Sequence, residues 1–242
     1  MRVRVVVAYD GTDYSGFQRQ TNAPTVQAAL ETTLAQVTQE EITILAAGRT
    51  DTGVHAVGQV IAFDTAWRHD LGDLRRALNA VLPADIAALE VEEAAPDFHP
   101  RYDAHSRRYR YTLHNATVRQ PLKRRYSLHI AALLDVAAMQ QAAQALVGEH
   151  DFATFGQPPQ GLVTVRRVLL AEWGGEPPHL TFDIEANAFL YRMVRSIVGT
   201  LLQVGQGKMD VAKFVAAMTA CERRRAGPTA PPHGLCLMEV KY

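Results

Sequence analysis

Residues 42–63 read ITILAAGRTDTGVHAVGQVIAF. Two apolar, β-branched runs, Ile42 to Ala47 and Gly58 to Phe63, stand either side of a loop that packs an Arg, an Asp and a His around two glycines. Each run is short and lacks the 3.6-residue period, so both read as strands. Upstream, Arg2 to Tyr9 carries Val3, Val5, Val6 and Val7 and stops at Asp10-Gly11-Thr12, a turn signal. Between these strands, Pro24 and Thr25 open a segment in which Val26, Ala29, Leu30, Leu34 and Val37 recur at helical spacing. Downstream, Asp70 is placed to cap a helix bearing Leu71, Leu74, Leu78 and Val81 before Pro83, and Ile86 to Val91 is a further strand.

The order is β-α-β-β-α-β, the split ferredoxin-like unit, with both helices on one face of an antiparallel sheet. The second half repeats the theme less cleanly. Strands are expected at Arg108 to Leu113 and Arg125 to Leu128, then an Ala-rich helix from Ala132 to Val147. Val163 to Glu172 and Leu180 to Ala186 form a hairpin around residues 174–178. Helices follow over Phe189 to Val204 and Asp210 to Ala220, and a last strand over Leu237 to Val240. Pro96 to Pro100 marks the boundary, giving an N-terminal α+β domain over 1–97 and a C-terminal one over 98–242.

The chain has 242 residues, 48% hydrophobic and 21% charged, which is ordinary globular composition. No apolar run is long enough to cross a bilayer, and Met1 to Val5 reads as a strand rather than a leader peptide. A cytoplasmic protein is expected. Its two cysteines, Cys221 and Cys236, form no disulfide framework or zinc motif and are expected to be small buried hydrophobes. The net charge of zero hides an asymmetry. Residues 1–97 hold 7 basic and 14 acidic side chains, residues 98–242 hold 18 and 11. Phe98 to Tyr126 alone has 8 basic residues against the single acid Asp103. That pattern fits either a basic face for a polyanion or a solvated surface.

No glycine-rich nucleotide loop, metalloprotease helix or deaminase zinc signature is present, so no cofactor and no metal are expected. The chemistry must come from side chains. Gly48-Arg49-Thr50-Asp51-Thr52-Gly53 is the densest candidate, because Gly48 and Gly53 permit unusual dihedrals and the close approach of a ligand. By itself the loop is equally readable as a structural Asp–Arg pair.

Gly48-Arg49-Thr50-Asp51-x-Gly53-Val54-His55-Ala56 resembles the signature of the tRNA pseudouridine synthase A family. Other segments are similar to that family in the same order. They are Tyr9 to Thr12 with Gly16, Gln18 and Thr25-Val26-Gln27; Phe98-His99-x-Arg101-Tyr102 with Arg107 to Tyr111; and His150-Asp151-Phe152 with Phe155. Asn187 to Arg195 with Gly199, and Gly227 to Pro232 with Gly234-Leu235, complete the set.

The resemblance implies two ferredoxin-like domains with antiparallel sheets joined around a central cleft. It also implies a homodimer that binds the anticodon arm of tRNA and isomerises uridines 38, 39 and 40 without a cofactor. Asp51 would be the nucleophile, Arg195 the cation that keeps it ionised, and Arg49 a contact to the RNA or the flipped nucleotide. Tyr109 would meet the flipped uracil. Strand alternation puts Tyr109 and Tyr111 on one face and Arg108 and Arg110 on the other, where arginines bind phosphates. Tyr111 reads as core, while His55 is equally an RNA contact or a turn-stabilising residue. Lys123 to Arg125 and Arg223 to Arg225 are phosphate candidates.

The main rival is a pseudouridine synthase for another RNA site. A non-catalytic RNA-binding module would have no need of Asp51 between two glycines, and a glycoside hydrolase would need a second tuned carboxylate.

Overall fold

The computed structural model describes residues 1–158 and 161–242 and is a mixed α+β protein. Its first elements are β1 (Arg2–Tyr9), α1 (Val26–Thr38), β2 (Leu45–Ala46), β3 (His55–Asp64), α2 (Leu71–Val81) and β4 (Ile86–Ala94). Then come β5 (Ser106–Asn115), β6 (Leu128–Ile130), α3 (Val136–Gln144), β7 (Gly148–Asp151) and β8 (Val165–Glu176). The series ends with β9 (His179–Ala186), α4 (Met193–Gly205), α5 (Val211–Thr219) and β10 (Leu235–Lys241). Contacts divide the chain into two compact units: Met1–His105 together with Cys236–Tyr242, and Ser106–Leu235.

In the first unit β1 lies between β3 and β4, antiparallel to both, and β2 pairs with the far end of β3. The resulting order β4-β1-β3-β2 is that of the split unit read from the sequence. Strand β1 alternates as its valines require: Val3, Val5, Val7 and Tyr9 are buried, while Arg2 and Arg4 lie on the other face. Helix α1 is capped by the Thr25 hydroxyl, which accepts the Ala28 N–H, and α2 by Asp70, which accepts the Gly72 N–H at 2.7 Å. Leu74 and Leu78 of α2 are buried, and this helix packs on β4 and against α1.

Two features depart from the expected pattern. Most of the expected strand over Ile42 to Ala47 is absent, because the Ile44 N–H donates to the Glu31 carboxylate rather than to a ladder. A short parallel pairing also appears, with Cys236 opposite His55 and Leu237 opposite Ala56. That pairing brings β10 into the first unit.

The second unit has the strand order β6-β5-β9-β8-β7. Within it β8-β9-β5 repeats the order of β2-β3-β1. Its core is built from Tyr111 and Leu113 of β5, Leu180, Phe182 and Ile184 of β9, and Ile197 and Leu201 of α4, each fully buried. Phe155 stacks on Phe214 of α5 at 5.8 Å between ring centroids. Burial of each such side chain contributes about 1.5–3 kcal/mol.

Element boundaries shift where side chains or turns intervene. Instead of a strand over Arg125 to Leu128, Pro121–Lys123 forms a 3-10 turn closed by Arg124 N–H to Pro121 C=O, and pairing begins only at Leu128. The Ala-rich helix is shorter than its composition, starting at Val136 after the Asp135 cap. The hairpin ladder continues to Glu176 opposite His179, so its turn is Pro177-Pro178 alone. Helix α4 begins at Met193 rather than Phe189, because Tyr191 bridges to Gln157 and Arg192 sits at φ +60°. Strand β7, at the end of the basic half's first helix, was not anticipated.

Gly58 faces β10, and a β-carbon there would lie 2.2 Å from the Met238 carbonyl oxygen. Gly58→Ala is expected to force the two strands apart and cost about 1–3 kcal/mol of stability. Urea unfolding is the measurement, and an unchanged midpoint would contradict the tightness of this contact.

Candidate active site

Asp51 lies in the first unit, on the loop between β2 and β3, and the segment from Tyr9 to Phe17 holds that loop on both sides. Before Asp51, the Phe17 N–H donates to the Thr50 carbonyl at 3.1 Å. Beside it, the Tyr9 hydroxyl lies 2.8 Å from Thr50 Oγ1, with both residues buried. After Asp51, the Gly53 N–H donates to the Tyr14 carbonyl at 3.4 Å, and the Val54 N–H closes the turn on the Asp51 carbonyl at 3.1 Å. The Gly11 N–H donates to His55 Nδ1 at 3.1 Å. A β-carbon on Gly11 would stand 2.0 Å from the Val54 carbonyl oxygen, so only glycine fits. Tyr14 is itself anchored, its hydroxyl donating to Asp85 Oδ1 at 2.7 Å. Burial, then this bond, push its phenol pKa up.

These contacts give physical content to the opening motif. Tyr9, Gly11, Tyr14 and Thr50 are working parts of the loop that the sequence reading did not single out as site residues. The signal was that Tyr9 and Gly11 belong to the opening motif and Thr50 to the Asp51 motif of the resemblance. Asp51 is half-buried on this support and Arg49 is exposed. His55 is 6% exposed with its ring turned to Gly11 and, at 3.1 Å, to Asp10 Oδ1, so it stabilises the turn. Of the two glycines flanking the loop, Gly53 has φ +75°, which calls for glycine. Gly48 has no positive φ and has open space where a β-carbon would be, so it leaves room for a ligand rather than bending the chain.

In the second unit Tyr109 is half-buried on β5, its ring meeting Phe189 edge-on at 5.1 Å. Tyr111 is fully buried, its hydroxyl donating to the Pro231 carbonyl at 2.8 Å, and is a core residue. Arg108 and Arg110, on the opposite face of the strand, do not stand ready for phosphates. Arg108 Nε lies 3.1 Å from Asp183 Oδ1 and Arg110 Nε 3.1 Å from Asp183 Oδ2, and Asp183 is 4% exposed. Cross-strand pairing of Arg110 with Asp183 explains this, and alternation within β5 alone does not reveal it.

Arg195 is half-buried on α4, and residues 227–231 orient it. Its Nε donates to the Ala230 carbonyl at 2.8 Å, and its own carbonyl accepts the Ala230 N–H at 3.0 Å. The same segment reaches the helix at Thr200 Oγ1, which accepts the Gly227 N–H at 2.9 Å. It also reaches Gly199, where a β-carbon would lie 1.7 Å from the Pro228 oxygen. The fourth and last motifs of the sequence are therefore one structure. Burial pushes the Tyr111 phenol pKa up, and the nearby Arg195 charge opposes that shift.

Of the other basic candidates, Lys123 Nζ lies 2.8 Å from His179 Nδ1, Arg223 donates to Thr229 Oγ1 at 2.9 Å, and Arg224 pairs with Glu222 at 2.7 Å. The cysteines are not buried hydrophobes as expected: Cys221 is exposed and Cys236 intermediate. Cys221 takes φ +54° directly after α5, where the chain turns at the surface.

Residues 5–103 and 142–242 match the family profile described as tRNA pseudouridine synthase. The chain belongs to the tRNA pseudouridine synthase family. A protein of Moorella thermoacetica named tRNA pseudouridine synthase A is 48% identical over 99% of both chains. One of Brevibacillus brevis with that name is 47% identical over 100% of this chain and 99% of its own. Another, of Chloroflexus aurantiacus, is 49% identical over 99% of this chain and 88% of its own. A solved chain from a Cbf5-Nop10-Gar1 complex aligns over 97% of this chain and 48% of its own at 15% identity, with a TM-score of 0.41 too low to bear on the fold. As a tRNA pseudouridine synthase the protein is an isomerase that converts uridine to pseudouridine in tRNA. Among the described residues no helix is long and apolar enough to cross a membrane.

Tyr111 yields a test of the second unit's core. Its folded pKa is raised above the ordinary 10.0, so the folded protein keeps a proton that the unfolded chain loses above that pH. The stabilisation is complete below pH 10 and disappears as pH rises beyond it. Tyr111→Phe should lose about 1 kcal/mol near neutral pH, from the bond to Pro231. It should also flatten the fall in stability above pH 10, with Tyr14 and Cys221, both also raised, contributing to the slope that remains. Denaturant unfolding across pH 7–11 checks both, and an identical alkaline slope would contradict the assignment.

Proposed function

We propose that this enzyme isomerises uridines 38, 39 and 40 in the anticodon stem-loop of tRNA, with Asp51 as nucleophile. The observation that carries the reading is the support of the Asp51 loop, whose backbone is hydrogen-bonded to Phe17 before the carboxylate and to Tyr14 after it. A turn that served only to connect two strands would not need a second segment folded over it.

The reaction breaks the N1–C1′ bond, turns the base, and joins C5 to C1′. It is redox-neutral and every heavy atom of the product comes from the substrate, with the C5 proton passing to water and N1 taking a proton in exchange, so no cosubstrate enters the balance. What it requires is an ionised carboxylate that attacks the nucleotide and later leaves, with a base to take the C5 proton. In this reading Arg195 is the second catalytic residue. Its orientation by Ala230 suits a group that must hold one direction. Tyr109 offers a ring for the extruded uracil, and the exposed Arg49 holds the RNA strand. The working enzyme is a cytoplasmic homodimer in this reading, and the basic balance of residues 98–242 supports its contact with the RNA backbone.

With tRNA tritiated at uridine C5, the purified protein should release label to water in the presence of a chelator and without any added cosubstrate. Asp51→Asn should reduce this release by more than about 10²-fold while leaving tRNA affinity and the fold intact. Mapping the modified positions tests the site assignment, since label retained at 38–40 would place the target elsewhere. Residual turnover in Asp51→Asn above roughly 1% of wild type would remove the nucleophile from this position.

Tyr109→Phe keeps the stacking ring and removes the hydroxyl. The expected single-turnover rate lies between wild type and Tyr109→Ala, because stacking contributes ~1–3 kcal/mol and the hydroxyl assists proton removal. Wild-type rates in both variants would place Tyr109 outside the site.

A further inference from the structure

The contact between Tyr9 and Thr50 has no part in the reading above. Tyr9 is the last residue of β1, and that strand is hydrogen-bonded on both sides: Tyr9 faces Ala56 of β3 and Ile86 of β4. Its ring is 4% exposed and packs near Phe17 at 6.1 Å between centroids. The hydroxyl therefore projects from the most constrained strand of the unit, and it ends 2.8 Å from Thr50 Oγ1, in the residue just before Asp51.

Thr50 is 7% exposed and β-branched, so its side chain has few rotamers and none that reaches water freely. A hydrogen bond at Oγ1 selects one rotamer and ties the residue through which the chain enters Asp51 to the end of β1. Other bonds on the loop are backbone ones at Thr50, Asp51 and Gly53 and the Gln59 Nε2 donation to the Gly48 carbonyl at 2.9 Å. They set the path of the loop, and the Tyr9–Thr50 pair sets its rotation. We infer that Tyr9, through the Thr50 hydroxyl, is a positioning residue that aims the Asp51 carboxylate at the reacting nucleotide. The inference rests on Asp51 being the nucleophile. It predicts that the carboxylate is referenced to the central strand of the sheet rather than to its own loop.

The test is a double-mutant cycle on the full-length enzyme with Tyr9→Phe, Thr50→Val and both together, with Thr50→Ser as the conservative variant. Single-turnover rates at saturating enzyme are measured beside tRNA affinity, at a temperature where circular dichroism shows every variant folded. Misaiming by a fraction of an ångström should slow Tyr9→Phe and Thr50→Val by about 10- to 100-fold. Affinity for tRNA should stay within about twofold, the double variant should be no slower than either single one, and Thr50→Ser should approach wild type. A Tyr9→Phe rate within about threefold of wild type, losses that multiply in the double variant, or a defect confined to tRNA affinity would each overturn the inference. The two readings fail differently. An active Asp51→Asn removes the nucleophile assignment, whereas an inactive Asp51→Asn beside a fully active Tyr9→Phe removes only the positioning role.

Discussion

At Gly11, Gly58 and Gly199 the backbone carbonyl of a distant segment stands where a side chain would begin. The oxygens of Val54, Met238 and Pro228 lie 2.0, 2.2 and 1.7 Å from the positions a β-carbon would take on Gly11, Gly58 and Gly199. Each approach brings two stretches of main chain closer than any L side chain allows, and each joins segments far apart in sequence. The first seats the opening motif on the Asp51 loop. The second seats the C-terminal strand on β3. The third lays residues 227–231 along α4, where they orient Arg195. Side-chain identity elsewhere in these segments matters only once the main chains have met.

Support differs from residue to residue within each unit. In the first, Asp51 sits on backbone that is hydrogen-bonded at its neighbours, while Arg49 is exposed. In the second, the Arg195 side chain and carbonyl are both bonded to Ala230, and Tyr109 is half-buried on β5 with its ring edge-on to Phe189. A group whose backbone and side chain are both bonded is held in one direction.

Much of the fold was legible in the sequence, and the reason is local. The alternation of Val3, Val5 and Val7, the cap at Asp70, the helix starts near Thr25 and Asp210, and the helical stripe of α2 each depend on neighbours a few residues away. The Asp51 loop by itself was equally readable as a structural Asp–Arg pair, and only the resemblance carried by motifs along the whole chain singled it out. What stayed hidden depends on distant partners. The Glu31 carboxylate that displaces a strand, the Asp183 carboxylate that occupies Arg108 and Arg110, and the Gln157 bridge that delays α4 are all non-local. Local pattern cannot report them. The surface position of Cys221 was missed for another reason, since it follows from a left-handed turn after α5 rather than from residue type.

The pairing of Cys236 and Leu237 with His55 and Ala56 has a consequence for how the chain is made. During synthesis on the ribosome the first unit emerges early, yet one of its strands is encoded after residues 106–235. Until those residues have left the exit tunnel, the edge of β3 beside His55 has no native partner. That edge adjoins the Asp51 loop and presents unpaired main-chain groups of the kind that invites pairing with other chains. Closing it joins residues separated by most of the polypeptide, a late and slow event by the entropy of loop closure. The nascent protein thus carries the Asp51 loop for some time before the strand that completes its setting exists.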